Sequence, residues 1–178
     1  MQVDWSKNYF ELFGLPVQFD LDLADLLTRY RELQRQVHPD RFTSAPAEER
    51  RLSMQFTTLV NEGYQTLRDP VRRARYLLGL SGAAMNDETD TSMKPEFLME
   101  QMELREALEE ARAREDALRR LAELANDIER RHAAKIEELR ASFDRGPGAL
   151  DATRNTVREL QFLDKLQQEI REQEEEQS

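Results

Sequence analysis

The sequence contains no cysteine and only two histidines, His38 and His132, among its 178 residues. The absence of cysteine excludes disulfides, thiol catalysis and cysteine-ligated zinc or iron–sulfur centres within the chain, and two histidines are too few for a multi-histidine metal site. No segment approaches the roughly 20 apolar residues that span a membrane, and the acidic residues 1–5 lack the apolar run of a signal peptide. We therefore expect no cofactor, no bound metal and a soluble, cytoplasmic protein.

Charge is abundant and unevenly placed. Lys and Arg number 26 against 36 Asp and Glu, a net charge of −10, and only 39% of residues are hydrophobic, below the usual range of roughly 45–50%. This composition favours two small domains over one deep core. Residues 95–178 carry a net charge of −8, whereas residues 29–75 carry +4. Global acidity argues against nucleic acid as a partner, and one basic segment on an acidic protein favours an acidic protein surface.

Nearly the whole chain has the apolar spacing of helices, so we predict an all-α fold. The N-terminal part is predicted to contain four helices, at residues 8–13, 22–37, 46–67 and 70–80, with Pro39 ending the second. The apolar residues expected to be buried on the second helix are Leu23, Leu26, Tyr30, Leu33 and Val37. Those expected to be buried on the third are Leu52, Phe56, Leu59, Val60, Gly63 and Leu67.

The C-terminal part begins after a polar, glycine-containing stretch. We interpret residues 81–94 as a linker and predict helices at 95–112, 114–145 and 149–174, separated by the breaker Gly146-Pro147-Gly148. Three amphipathic helices with short connections form an antiparallel bundle. The predicted organisation is a first domain at 1–80, the linker, a three-helix bundle at 95–174 and a disordered tail at 175–178.

The loop between the second and third helices contains His38, Pro39 and Asp40. One interpretation is a plain helix-ending turn, since all three residue types are common in turns. The other is a docking site, because the helical period places Arg31, Arg35 and His38 along one side of the second helix, away from its apolar stripe. Taken singly, each arginine fits a solvated charge better than a contact. No second base, nucleophile or glycine-rich phosphate loop accompanies this site, so we expect no enzymatic activity.

Three blocks in this order resemble the J-domain of DnaJ-type co-chaperones. They are NYFELFGL at residues 8–15, His38-Pro39-Asp40, and NEGYQTLRDP at residues 61–70. The resemblance implies that the tripeptide triggers ATP hydrolysis by a DnaK-type chaperone, and that nearby basic residues dock on that chaperone. The residues implied are His38, Pro39, Asp40, Arg29, Arg31 and Arg35, together with Arg41, which keeps the charge of the lysine usual at its position.

The helix after Pro95 shows two apolar sides. By the helical period, Phe97, Leu104, Leu108 and Ala111 lie on one side and should face the bundle. The opposite side combines apolar and acidic residues, a composition typical of an adaptable docking face with charge selectivity; it contains Met99, Met102, Glu103, Glu106 and Glu110, with Leu98 at its margin. The alternative is a bundle wide enough to bury both sides. Phe162 lies off the apolar stripe of the last helix, where it could reach the same outward side across the bundle. As a lone aromatic it also fits a peripheral core position.

Residues 97–106 and 157–166, together with the J-domain blocks, resemble the HscB family of co-chaperones in iron–sulfur cluster assembly. The resemblance implies that the bundle binds the scaffold protein IscU and that the J-domain delivers it to the specialised chaperone HscA. By matching motif positions, the implied scaffold-binding residues are Leu98, Met99, Met102, Glu103, Glu106, Glu110 and Phe162. The N-terminal cysteine extension of some eukaryotic relatives is missing, which favours a bacterial form. The alternatives are a J-domain adaptor for a different client and a structural adaptor without chaperone contact.

Overall fold

The computed structural model describes residues 4–86, 94–113 and 115–176, and the regular structure of these residues is helical. The chain divides into two compact units, Met1–Leu77 and Leu78–Ser178. The predicted all-α class is confirmed. The helices are α1 (Tyr9–Leu12), α2 (Leu23–Val37), α3 (Ala47–Arg68), α4 (Pro70–Leu80), α5 (Pro95–Arg112), α6 (Ala117–Asp144) and α7 (Leu150–Glu176), with short 3-10 helices at Pro39–Phe42 and Gly146–Ala149.

Helices α2 and α3 form an antiparallel hairpin in the N-terminal unit. Tyr30 near the middle of α2 stacks on Tyr64 near the end of α3, with ring centroids 4.1 Å apart. At the other end, the carbonyl of Val37 accepts a hydrogen bond from Ser53 near the start of α3. Ring stacking at the middle of α2 and hydrogen bonding at its end fix the register of the hairpin and place the α2–α3 loop at its tip.

The short helix α1 packs on α3 at a glycine. A Cβ atom at Gly63 would lie 3.1 Å from Cδ1 of Tyr9 and 3.2 Å from Cε2 of Phe13, closer than most packed carbons. A residue without a side chain at this position therefore permits the close approach of α1 to α3. The backbone N–H of Tyr9 donates to the hydroxyl of Tyr76 on α4 at 3.0 Å, and the two rings stack. These contacts hold α1 between α3 and α4.

Burial in the hairpin differs in part from the sequence prediction. On α2, Leu26 and Val37 are buried, but Leu23 is exposed because it begins the helix at the open end of the hairpin. On α3 only Val60, Gly63 and Leu67 of the predicted set are fully buried, and the remaining three, Leu52, Phe56 and Leu59, are half-buried. Helix α1 is four residues long and meets α3 around Gly63, so it does not reach the N-terminal half of α3. There the ring of Trp5 contacts Phe56 edge-to-face.

Helices α5, α6 and α7 form the predicted three-helix bundle. Its core contains one apolar cluster contributed by all three helices, made of Leu104, Leu108, Ala111, Leu121, Ile128, Leu163, Leu166 and Ile170. The turn between α6 and α7 uses Gly146 with φ of 73°, a backbone conformation that favours glycine. The predicted linker is described at residues 81–86 and 94, and residues 87–93 lie outside the described residues.

The sequence prediction placed the start of the disordered tail too early in the chain. Helix α7 continues to Glu176, so residues 175 and 176 are helical, and residues 177–178 lie outside the described residues. Glu and Gln are good helix formers, and two side-chain hydrogen bonds along the end of the helix support it. They join Gln168 to Glu172 at 2.9 Å and Gln173 to Glu176 at 3.0 Å.

Polar side-chain pairs join α7 to α6. His132 Nε2 lies 3.0 Å from Asp164 Oδ1, and Lys135 Nζ lies 2.5 Å from Glu159 Oε2 and 2.9 Å from Glu138 Oε2. Burial opposes the charge of Lys135, but the hydrogen bonds with both glutamates outweigh burial and raise its pKa. These pairs fix the rotation of α7 in the bundle, and hence the side on which Phe162 lies.

Candidate functional site: two exposed surfaces

The His38-Pro39-Asp40 turn starts where proline ends α2. The residue before a proline is disfavoured in helical geometry, and His38 accordingly adopts φ −56° and ψ 130°. Pro39 then begins the 3-10 helix, a position that suits proline because the first N–H of a helix has no partner. The N–H of Arg41 donates to the carbonyl of His38 at 3.0 Å and closes the turn.

The side chains of this turn face solvent. The His38 side chain is 51% exposed and that of Asp40 is 85% exposed. Nδ1 of His38 lies 3.3 Å from the backbone N of Asp40 and 3.5 Å from its carboxylate Oδ2. A neutral Nδ1 accepts from the N–H, whereas a protonated Nδ1 pairs with the carboxylate. Both contacts hold the imidazole beside Asp40, and about half of the His38 side chain stays accessible to a partner.

Two hydroxyl groups of α3 anchor the backbone directly before the turn. Ser53 Oγ donates to the carbonyl of Val37 at 2.6 Å, and Thr57 Oγ1 lies 3.2 Å from the same oxygen. Ser53 is fully buried. Hydroxyl donors satisfy a carbonyl that the end of a helix leaves without an intrahelical partner. The sequence prediction missed both residues, because a single buried serine carries no periodic signal.

The predicted basic residues divide into two groups. Arg31, Arg35 and Arg41 are exposed. Their side chains follow one another along the end of α2, because Arg41 Nη1 donates to the carbonyl of Arg35 at 3.2 Å and Arg35 Nε donates to the carbonyl of Arg31 at 3.4 Å. Arg29 is engaged elsewhere. It pairs with Asp25 at 2.9 Å and donates to the carbonyls of Phe13 and Gly14, each at 3.1 Å. Arg29 therefore ties α2 to the end of α1, and chaperone docking by all four arginines stays a prediction.

Helix α5 carries the second surface, which we call the docking face. On its core side, Phe97, Leu104, Leu108 and Ala111 are buried, as predicted. Met99 is 64% exposed and Met102 is 72% exposed. The alternative that the bundle buries both sides of α5 is therefore wrong. The docking face contains Leu98, Met99, Met102, Glu103, Glu106 and Glu110, which are all exposed.

Phe162 lies at the edge of the docking face. Its ring is half-buried and packs against the bundle core. It meets Phe97 of α5 edge-to-face, with centroids 5.7 Å apart and an interplanar angle of 89°. The guanidinium of Arg105 lies over the ring at 5.6 Å from its centroid. The sequence prediction missed Arg105, because the period of α5 shows which side a residue is on but not which residue of α7 it meets.

The N-terminal unit combines a helical hairpin with an exposed His-Pro-Asp turn, and the C-terminal unit is a helical bundle. These features together define a J-domain protein with an added C-terminal domain. Within the residues that the structure describes, no three histidine, aspartate or glutamate side chains are placed to hold a metal ion. The same residues contain no helix that is both long and apolar enough to cross a lipid bilayer.

Comparison with known families supports this division. Residues 8–76 match the model of the DnaJ domain, and residues 93–171 match that of the HSCB C-terminal oligomerisation domain. The first match covers α1 to α4 without the last residues of α4, and the second covers α5, α6 and most of α7.

Individual proteins are similar over nearly the full chain. A co-chaperone protein HscB homolog of Shewanella amazonensis is 45% identical over 166 residues, covering 92% of this chain and 94% of that protein. A homolog of the same name from Aromatoleum aromaticum is 46% identical, covering 96% and 95%. Among solved structures, the chaperone HscB from Vibrio cholerae has a TM-score of 0.85 at 39% identity, covering 96% and 99%. Human co-chaperone HscB has a TM-score of 0.87 at 30% identity, covering 95% and 83%.

The chain belongs to the HscB family of co-chaperones. It is therefore a J-domain co-chaperone, and the role that this family implies is in iron–sulfur cluster assembly. A DnaK-type chaperone partner and a C-terminal domain that binds a scaffold follow from the same membership.

Proposed function

We propose that the protein binds the scaffold IscU through the docking face and Phe162, delivers it to the DnaK-type chaperone HscA, and stimulates ATP hydrolysis by HscA through the His38-Pro39-Asp40 turn. The protein itself performs no chemistry in this role, and it acts in the bacterial cytoplasm. The observation that carries the proposal is the exposure of Met99 and Met102 on a helix whose other side is buried. Exposed methionines beside carboxylates suit a partner with apolar and basic groups.

The geometry of the turn supports the chaperone half of the proposal. His38 and Asp40 are exposed at the tip of the α2–α3 hairpin. Arg31 and Arg35 in the last turns of α2 and Arg41 directly after Asp40 are exposed as well. This arrangement combines a hydrogen-bonding imidazole with cationic groups on one surface. Such a surface attracts an acidic partner over distance and then orients it by short hydrogen bonds.

Because the two surfaces belong to one chain, weak contacts with the scaffold and with the chaperone are enough to bring these two partners together. A scaffold held on the C-terminal unit is presented to the chaperone at an effective concentration set by the connection between the units, which reaches millimolar for short tethers. Hydrolysis triggered at that moment converts the chaperone to its tight-binding state with the client present. The order of events is therefore scaffold capture, chaperone docking and hydrolysis.

The proposal is tested by measuring ATP turnover of purified HscA with this protein, with IscU, and with both. We expect stimulation by the protein alone and a greater than additive rate with both. A rate that equals the sum of the separate effects would contradict the coupling of the two surfaces. Stimulation without any response to IscU would instead favour a J-domain adaptor for a different client, and no stimulation would favour a purely structural adaptor.

A further inference from the structure

Phe162 of α7 contacts two residues of α5 that differ in character. Phe97 is buried in the bundle core and meets the ring edge-to-face. Arg105 is exposed, and its guanidinium carbon lies 5.6 Å from the ring centroid. Arg105 in turn lies near Glu169 of α7, with Nη1 3.6 Å from Oε2. The ring therefore lies between the core and a charged side chain that is itself held from α7.

Arg105 also lies beside the apolar part of the docking face. It follows Met102 by three residues and Leu98 by seven, and residues at these spacings lie on the same side of a helix. Glu103, Glu106 and Glu110 lie on the far side of Met102 by the same period. Arg105 therefore lies between the exposed apolar residues of α5 and Phe162 of α7.

We propose that Arg105, held by Glu169, is a positioning residue for scaffold docking, and that it acts by fixing the ring of Phe162 at the edge of the docking face. The inference rests on the proposed function, because it concerns the same contact with IscU. A cation over an aromatic face is attracted by the ring electrons, and the ion pair with Glu169 restricts where the cation lies. An aromatic side chain already fixed before binding loses less freedom on docking, which corresponds to an affinity gain of about two- to tenfold.

The test is calorimetric titration of the full chain with purified apo IscU. Arg105→Gln removes the cation, Glu169→Gln removes its anchor, and Phe162→Leu removes the ring. Arg130→Gln is the matched control, since Arg130 is an exposed arginine in an ion pair with Asp127 at 3.0 Å on α6. Each variant is checked for folding by circular dichroism, and ring signals of carbon-13-labelled phenylalanine are recorded without IscU.

We expect Arg105→Gln to weaken binding about three- to tenfold and Glu169→Gln to weaken it about twofold. In the Phe162→Leu background, Arg105→Gln should have no further effect, because a double-mutant cycle isolates the coupling between the two side chains. The ring signals of Phe162 should shift in Arg105→Gln and not in Arg130→Gln. If Arg105→Gln does not fold, Glu169→Gln carries the same test on a residue outside the docking face.

Two results would overturn the inference and leave the proposed function standing. The first is unchanged affinity in both Arg105→Gln and Glu169→Gln while Phe162→Leu weakens binding. The second is an equal loss from Arg105→Gln with and without Phe162, since that would mean a direct contact between Arg105 and IscU. Failure of the proposed function looks different, because Phe162→Leu and the joint substitution of Met99 and Met102 by alanine would then also leave the affinity unchanged.

Discussion

Ser53→Ala is expected to destabilise the N-terminal unit and to loosen the functional turn, although it removes a single oxygen atom. The Ser53 hydroxyl is fully buried and donates to the carbonyl of Val37 at 2.6 Å. Val37 is the last residue of α2, directly before His38. The substitution therefore removes a hydrogen bond that joins α3 to the start of the turn.

The magnitude follows from three contributions. A hydrogen bond of this kind stabilises a protein by about 0.5–1.5 kcal/mol. The Thr57 hydroxyl lies 2.8 Å from the carbonyl of Ser53 in its own helix and 3.2 Å from that of Val37. Its single proton can turn to Val37 when the serine hydroxyl is removed, so the larger penalty of an unsatisfied buried oxygen does not apply. Alanine is the better helix former, which offsets at most about 0.7 kcal/mol. Because this bond is buried and short, its contribution falls in the upper part of that range, about 1–1.5 kcal/mol. After the offset for helix propensity, we expect a net loss of about 0.3–1.5 kcal/mol in the free energy of unfolding.

The assay is urea unfolding followed by tryptophan fluorescence. The sequence has one tryptophan, and Trp5 contacts Phe56 of α3 with ring centroids 6.1 Å apart, so its emission reports on the N-terminal unit. For small proteins the unfolding free energy falls by about 1–3 kcal/mol per molar urea, which gives a midpoint lower by a few tenths of a molar. Stimulation of chaperone ATPase at subsaturating protein should fall as well, since His38 is less well held.

Thr58→Ala is the control for helix propensity. Its hydroxyl is exposed and donates at 3.2 Å within its own helix, to the carbonyl of Met54. It should leave the urea midpoint unchanged or slightly higher. If Ser53→Ala behaved like Thr58→Ala, the hydrogen bond to Val37 would not stabilise the turn, and the reasoning would be wrong.

Three further predictions test the two surfaces and the bundle. His38→Gln should abolish stimulation of chaperone ATPase and keep IscU affinity, and full stimulation would contradict the role of the turn. Replacing Met99 and Met102 together by alanine should weaken IscU binding at least about tenfold in calorimetry, because burying a methionine side chain contributes about 1.5–3 kcal/mol; Met54→Ala, which removes an exposed methionine of α3, should have no effect. Burial opposes ionisation of Glu138, but hydrogen bonds outweigh burial and lower its pKa, first among them the bond from Lys135. The stability that this carboxylate contributes is therefore present above its usual pKa of 4.5, and it is lost as the pH falls through the lowered pKa. Glu138→Gln should therefore flatten the loss of helicity on acid titration, and an unchanged curve would refute this.

Sequence reasoning predicted best what depends on local pattern. The breakers Pro39, Pro70 and Gly146 lie at or beside helix ends. Proline restricts the backbone of its own residue and of the residue before it, and glycine leaves its own backbone free to adopt conformations that end a helix. The helical period divided the residues of α5 between two sides, but it left open whether the bundle buries both of them. The exposure of Met99 and Met102 settles that question. The fold class and the grouping of Met99 with Met102 opposite the core side of α5 were therefore accessible from the sequence.

What sequence reasoning missed depends on contacts between distant segments. Ser53 is separated from Val37 by 16 residues and Arg29 from Phe13 by the same distance, so no spacing rule connects them. The contact of Arg105 with Phe162 depends on how α7 is rotated against α5. That rotation is set by core packing and by pairs such as His132 with Asp164, which periodicity alone does not determine.

The two surfaces lie on segments of opposite net charge, and this difference directs the two partners to different units. The segment that carries the turn has a net charge of +4 over residues 29–75, whereas residues 95–178 carry −8. On the proposed function, a chaperone surface that complements the arginines is acidic and is repelled by Glu103, Glu106 and Glu110. A scaffold surface that complements those glutamates is basic and is repelled by the arginines. Like charges facing each other cost several kcal/mol across an interface, so each partner is directed to its own unit without direct competition. Salt screens both preferences together, and raising it should reduce the discrimination before it removes the apolar contacts of Met99 and Met102.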